Sequence, residues 1–400
     1  MPLRRQIRMP RRGISGACEE HMVQRWIRCG VAVAAILFCA AAVAQTRFDG
    51  IEFVGRWTGP NGARVASYGG SAVLLKFRNS SSVRLDLTAH KTEGDIDPTT
   101  MFYIRVIVDG GAPARIGLTR GEHPGYLLAE GLSLGTHTVE VRHDQEPVFG
   151  ALQVGRATLA PGGTWESFTD IRPIVEVIED SDATGIGILG PTNTAKPAPL
   201  GTPSWSSQLL SWPALLESSL AAMERPTVVV DLALSGSTAA SEAETYDLSA
   251  PHWDKSRFSA YDSGRRAALV LFWGGSNDKN VGGELASSSP VTVANLSAFQ
   301  RGIYDQIMKV NAMHPEAQLG MLEYDDPNLP HWRPAYMQIM QLLPPEIRQR
   351  MHFLAIKDDP ANFNACDTAP NGHPNVATQS QWTAQILQWI LAEKLLPSGE

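Results

Sequence analysis

Cysteine is scarce in this chain of 400 residues, with four in all, at Cys18, Cys29, Cys39 and Cys366. Three of them fall in the first 44 residues, so a chain without that stretch keeps one thiol and cannot form an internal disulfide. Charged side chains are also few, at 19%, and their balance is acidic, with 34 Lys and Arg against 41 Asp and Glu. There is no basic stripe, no interleaving of basic with aromatic residues and no Cys/His spacing suited to zinc. These absences exclude the ordinary signatures of a nucleic-acid partner or a zinc site. Long apolar runs are missing as well, since Val31 to Ala44 is too short to span a bilayer comfortably.

That short run is informative for its flanks. Arg25 and Arg28 precede it, and it ends in Ala42-Val43-Ala44 before Gln45. A basic flank, a short apolar core and a small-x-small ending describe a secretory signal. Residues 1–44 are therefore expected to be a leader, and the mature protein to be secreted or periplasmic without stable membrane association. Phe38 is bulky where lipid attachment at Cys39 would need a small residue, so no lipid anchor is expected. Seven arginines and two glutamates leave with the leader, so the mature chain would carry 27 basic and 39 acidic side chains, net −12.

Two regions of different period follow. From residue 45 to about 168, apolar and polar residues alternate: Val73, Leu75, Phe77; Val83, Leu85, Leu87; Phe102, Ile104, Val106, Val108; Val139, Val141. With turns at Asp109-Gly110-Gly111 and Leu134-Gly135-Thr136, this predicts six to eight short strands and an all-β sandwich. From residue 169 to 400, strands alternate with helices. Strands are predicted from Ile174, over Thr227–Leu234, Ala267–Trp273, Gln318–Leu322 and His352–Ile356. Helices are predicted over Ser206–Met223, Leu296–Met313, Arg333–Leu343 and Val376–Leu395. Such alternation implies a parallel sheet covered on both faces, with ligands beyond the carboxyl ends of its strands.

Those strand ends carry the chemistry. The first gives Asp180-Ser181, the second Ser235-Gly236-Ser237, the third Gly274-Gly275-Ser276-Asn277-Asp278 and the fourth Tyr324-Asp325-Asp326; the loop before the last helix gives Asn371-Gly372-His373-Pro374-Asn375. A serine, a histidine to carry its proton, and amide donors for an oxyanion are the parts of an acyl-transfer site. The backbone amides of Ser181 and Gly236 and the side chain of Asn277 are the candidate donors. Tyr324 and Trp332 flank the fourth strand end as candidates to stack on sugar rings, whereas Trp273, Trp382 and Trp389 read as core. His252, His314 and His331 lack partners at metal-ligand spacing and read as surface or boundary residues. No metal or cofactor is expected.

In order and spacing these blocks resemble the SGNH (GDSL-type) hydrolases: Asp180-Ser181, Gly236, Gly275-Ser276-Asn277-Asp278 and His373. Phe53-Val54-Gly55-Arg56-Trp57, Lys76-Phe77 with Val83-Arg84-Leu85, Val108-Asp109-Gly110 and Gly135-Thr136-His137-Thr138-Val139-Glu140 resemble the jelly-roll domain of carbohydrate esterase family 2. His252-Trp253-Asp254 and His373-Pro374-Asn375-Val376-Ala377 are similar to that family too. The resemblance implies a three-layer α/β SGNH domain preceded by a jelly roll. It also implies serine-dependent removal of O-acetyl groups from plant polysaccharides such as xylan or glucomannan, by a monomer that needs no cofactor. Two positions depart from the pattern. Glu179 stands where the family has glycine, which would set a carboxylate beside the nucleophile. Pro370 stands three before the histidine, where an aspartate is usual; a Ser181–His373 dyad is then expected, with Asp367, Asn371 or a backbone carbonyl as the candidate support of the histidine.

Two rivals are legible. Asp180-Ser181-Asp182-Ala183-Thr184 also resembles the Asp-x-Asp-x-Thr of haloacid-dehalogenase-type phosphatases, with Asp180 as nucleophile, Asp182 as acid/base, Ser235 and Lys309 on phosphate and Asp325-Asp326 on Mg²⁺. The other is a carbohydrate-binding protein on a hydrolase frame that has lost catalysis. Gly185-x-Gly187-x-x-Gly190 matches a dinucleotide fingerprint only on paper, because it follows its strand too late and opens no helix.

Overall fold

The structure, a computed structural model, describes residues 50–58, 64–90, 101–167, 169–190, 203–239, 265–275, 277–278, 292–325, 332–357 and 373–397. The leader, Ser276, Asp326, His252, His331, Cys366, Asp367, Pro370 and Asn371 lie outside the described residues.

The first region is antiparallel. Its described strands are β1 (Ile51–Val54), β2 (Trp57–Thr58), β3 (Arg64–Ala66), β4 (Ala72–Arg78), β5 (Ser82–His90), β6 (Phe102–Val108), β7 (Ala114–Leu118), β8 (Gly121–Glu130), β9 (Thr136–His143), β10 (Ala151–Leu159) and β11 (Thr164–Trp165). One sheet runs β1-β4-β9-β6-β7 with β11 also on β4, the other β2-β3-β10-β5-β8. The alternating residues named above face each other between the sheets: Val73, Leu75, Phe77, Val83, Leu85, Leu87, Phe102 and Ile104 are almost fully buried. Eleven described strands exceed the six to eight predicted, because the two-residue strands β2 and β11 and the three-residue β3 are too short to show a period. At the β6–β7 turn Asp109 (φ 50°) and Gly110 (φ 68°) are both left-handed, and Gly111 N donates to Val108 O at 2.9 Å, the geometry that suits a twisted hairpin.

The second region holds five parallel strands, β12 (Ile174–Glu179), β13 (Val228–Asp231), β14 (Leu269–Trp273), β15 (Gln318–Tyr324) and β16 (Met351–Ile356), in the order β13-β12-β14-β15-β16. Every residue of β12, β13 and β14 is buried, which is why these segments are continuous runs of Val, Ile and Leu rather than alternating ones. The chain leaves β12 toward one side for β13 and crosses to the other for β14, so the crevice beyond the carboxyl ends of β12 and β14 is the switch point where such sheets bind ligands.

Described helices are α1 (Trp212–Ala222), α2 (Ala298–Met313), α3 (Arg333–Met340), α4 (Pro345–Arg348) and α5 (Val376–Ala392). Helix α1 starts six residues later than predicted. Before it, Ser206–Gln208 are spent on other partners, and Pro213 in its first turn fixes the start. His314, read as a surface or boundary residue, is fully buried: it closes α2, accepts from Ala267 N at 3.1 Å and pairs with Glu176 at 3.0 Å. It ties α2 to the amino ends of the sheet.

The β region does not stand apart, for Phe48–Glu400 form one compact unit. Asp144, at the end of β9, is the clamp. It has almost no exposed surface and accepts from Arg105 Nε (2.9 Å), Arg115 Nε (2.8 Å), Ser207 Oγ (2.8 Å) and Leu209 N (3.2 Å).

Candidate active site

Strand β12 ends where its β-branched run gives way to Asp180 and Ser181, and the chain coils through Gly190 in successive turns. Ser181 is half-buried and Asp180 fully buried. The Ser181 hydroxyl lies 3.5 Å from Asp180 Oδ1, and its carbonyl accepts from Thr184 Oγ1 at 2.8 Å. The turn needs glycine at 185: φ is +69°, and a Cβ there would sit 2.2 Å from Ser207 O. Residues 185–190 are a loop packed on the 203–208 segment, as expected, and open no helix.

Beyond β13, Ser237 N donates to Leu234 O at 3.0 Å across a turn whose third residue, Gly236, has φ +78°. Gly236 is exposed, with open space where a side chain would be. Beyond β14, Asn277 Nδ2 donates to Ser237 O at 3.0 Å, and Asp278 Oδ2 accepts from Ala239 N at 2.9 Å. The two loops are thus stapled together. An asparagine amide has two N–H bonds, so Asn277 can hold Ser237 with one and face an oxyanion with the other.

The Asn375 side chain caps α5, accepting from Ala377 N (2.9 Å) and Thr378 N (3.1 Å). This explains the asparagine of His-Pro-Asn: it fixes where α5 starts, and His373 is two residues ahead. One turn into α5, Gln379 donates to Asp182 O at 2.7 Å and accepts from Trp212 N at 2.6 Å. The helix that follows His373 is therefore bonded to the residue that follows Ser181. His373 is half-buried with its Nδ1 buried.

Tyr324 and Trp332 do not offer faces to a sugar. They are 7% and 1% exposed, and they pack in an aromatic cluster with Trp273, Trp382 and Phe299. Each continues an apolar layer, which leaves neither ring a face open for stacking. The Tyr324 hydroxyl has a different use, donating to the Asp182 carboxylate. Burial, with Asp182, Glu179 and Asp180 nearby, raises its phenol, so it stays a donor. Sequence reading found Tyr324 from its strand-end position but could not see its partner; Gln379, inside a helix, gave no signal at all.

Glu179 turns its carboxyl to an indole and away from solvent. It is 1% exposed, and its Oε2 accepts from Trp212 Nε1 at 3.0 Å. Burial, reinforced by Asp182 and Asp180, pushes the carboxyl well above the usual carboxylate range, so it is held neutral.

For the phosphatase reading, Asp180 would need to reach a substrate, yet it has no accessible surface, whereas Ser181 has some. Lys309 sits in the turn of α2 just before His314, which bonds the residue ahead of β14, at the opposite end of the sheet from Ser181.

The fold is thus a five-stranded parallel α/β sheet with these blocks at its strand ends, joined in one compact unit to a two-sheet antiparallel jelly roll. Residues 53–166 match the family model described as Carbohydrate esterase 2 N-terminal, so the β region is a domain of that kind. The chain shares its fold, over most of its length, with solved family-two carbohydrate esterases. One, from Clostridium thermocellum in complex with cellohexaose, superposes with a TM-score of 0.64 at 18% identity, covering 87% of this chain and 100% of that one. An acetyl xylan esterase from the rumen bacterium Butyrivibrio proteoclasticus gives a TM-score of 0.63 at 12% identity, over 88% and 97% of the two chains. A salicylyl-acyltransferase of a tetracycline biosynthetic pathway gives 0.54 at 14% identity, over 89% and 98%. No curated protein sequence matches the chain.

Proposed function

We propose that the protein is an exported carbohydrate O-acetyl esterase acting on plant polysaccharides or oligosaccharides such as acetylated xylan or glucomannan, through Ser181 and an acetyl-enzyme. The observation that carries this reading is the convergence at one end of the sheet. Ser181 follows β12, the stapled Gly236 and Asn277 loops follow β13 and β14, and α5, which begins just after His373, is bonded to Asp182.

The Ser181 oxygen attacks the acetyl carbonyl carbon while His373 takes its proton. The amides of Ser181 and Gly236 and the Asn277 side chain receive the oxyanion, each such donor contributing about 10²–10³ in rate. His373 returns the proton to the sugar oxygen as the C–O bond breaks, which leaves acetyl-Ser181 and a free sugar hydroxyl. Water then attacks, His373 takes and returns its proton in turn, and acetate leaves. Neutral Glu179 does not oppose this charge, and Tyr324, Gln379 and Thr184 hold the turn that carries Ser181. Asp367 remains the candidate helper of His373, and residues 1–44 the candidate export signal.

Acetate release from a panel of acetylated oligosaccharides, with Ser181→Ala and His373→Ala alongside, tests the reading. Full activity in Ser181→Ala, or phosphate-ester hydrolysis that requires magnesium without acetate release, overturns it.

A further inference from the structure

The segment before α1 lies between the jelly roll and the coil that follows Ser181. Ser206, Ser207 and Gln208 are buried, although all three are polar. From the jelly roll, Arg115 donates to Ser204 O at 3.0 Å and Ser206 O at 2.5 Å, while its Nε and that of Arg105 hold the Asp144 carboxylate. Asp144 Oδ1 in turn accepts from Ser207 Oγ at 2.8 Å, and Arg105 Nη2 donates to the same hydroxyl at 3.1 Å. Gln208 N donates to Asp144 O at 3.2 Å. This flank has no slack, since a Cβ on Gly69 would lie 2.6 Å from Gln208 Cγ.

The opposite flank meets residues 185–189. Ser207 N donates to Gly185 O at 3.0 Å, Leu189 N to Trp205 O at 2.8 Å and Gly187 N to Ser206 Oγ at 3.3 Å. Next to Gly185 stands Thr184, whose N and hydroxyl both donate to Ser181 O, at 3.3 and 2.8 Å. The side chain of Ser207 is thus held by the jelly roll and its main chain by the coil that carries Ser181.

Apolar side chains would fill this junction without the cost of desolvating a carboxylate and two guanidinium groups. What the polar set supplies is direction, because a hydrogen bond fixes donor against acceptor, whereas apolar contact is non-directional and tolerates sliding. Direction matters next to a reacting group, where a displacement of about 1 Å can cost about 10²-fold in rate. We propose that the jelly roll braces the Ser181 turn, with Ser207 as the positioning residue through which Asp144, Arg105 and Arg115 hold it in register. The proposal rests on the esterase reading, and it gives the jelly roll a part in turnover separate from any contact with sugar.

The test is kcat and KM for 4-nitrophenyl acetate, with the rate of fluorophosphonate labelling at Ser181, in the full chain well below its melting temperature. Wild type is set against Ser207→Ala, Arg115→Met and Val83→Ala. Ser207→Ala removes the hydroxyl and keeps the amide that bonds Gly185. Val83 is buried between the two sheets of the jelly roll, so its truncation lowers melting temperature without touching the brace. Ser207→Ala and Arg115→Met should each lose roughly 10-fold in kcat and in labelling rate with KM held, and Val83→Ala should lose melting temperature alone. Wild-type kcat and labelling in Ser207→Ala overturn the proposal and leave the esterase standing. A Val83→Ala that loses as much kcat as Ser207→Ala does the same, since the loss then follows stability. Should Ser207→Ala not fold, Arg115→Met decides by the same outcomes. A wild type that neither releases acetate nor takes the fluorophosphonate at Ser181 overturns the esterase reading, and this one with it.

Discussion

At the scale of single residues, the surroundings of Ser181 decide which neighbours matter. Tyr324 donates to Asp182, one residue past Ser181. Tyr324→Phe keeps the buried ring and removes only that bond, so kcat should fall about 10-fold or more with KM little changed, the pattern of a misplaced nucleophile. Steady-state kinetics on an acetyl ester reads it, and an unchanged kcat would show that the turn holds its shape without the bond. Glu179 gives the opposite kind of prediction. Because the site keeps its carboxyl neutral, Glu179→Gln should retain the pH profile of the wild type. Glu179→Ala should destabilise by about 1–3 kcal/mol by leaving the Trp212 indole N–H buried and unpaired. Denaturant unfolding of the two variants separates charge from hydrogen bonding.

At the scale of elements, helix termini and glycine turns aim the groups. Asn375→Ala removes the cap of α5 and should cost about 1 kcal/mol of stability. A larger proportional loss should appear in kcat, since the start of that helix sets where His373 stands. Gly275 has φ +118°, and an added Cβ would lie 2.6 Å from the Phe299 ring, in the layer against Trp332. Gly275→Ala should therefore disrupt the loop that carries Asn277, seen as a lowered melting temperature together with lost turnover. The glycine of Gly-x-Asn-Asp is thus demanded by packing under the loop.

At the scale of the whole molecule, buried carboxyls contribute to the pH dependence of stability. Glu146 and Asp231 rise from ordinary values of 4.5 and 3.8 to about 7. Between those limits the folded protein keeps protons that the unfolded chain has released. Their contribution is therefore full below about pH 4, declines as pH rises toward 7 and is gone above it. This decline should appear as the difference between the melting-temperature curves of the wild type and of Glu146→Gln with Asp231→Asn, set against the opposite trend from buried His143, which burial holds down at about 3. Asp144→Ala should weaken the junction itself by several kcal/mol, because it strands Arg105 and Arg115 in a partly buried site.

What the sequence determined by itself was whatever a local pattern can carry. The period of two in Val73, Leu75 and Phe77 marked a sandwich face, unbroken runs such as Val228–Asp231 marked buried parallel strands, and a parallel sheet obliges its reactive groups to stand at strand ends. Ser181, Gly236, Asn277 and His373 became candidates for that reason. Only the tertiary structure decided the rest. Whether Trp332 meets solvent depends on Phe299 and Tyr324, and whether Glu179 is charged depends on Trp212 and the desolvation around it. Burial and ionisation are set by atoms far away along the chain, and no spacing along the chain encodes them.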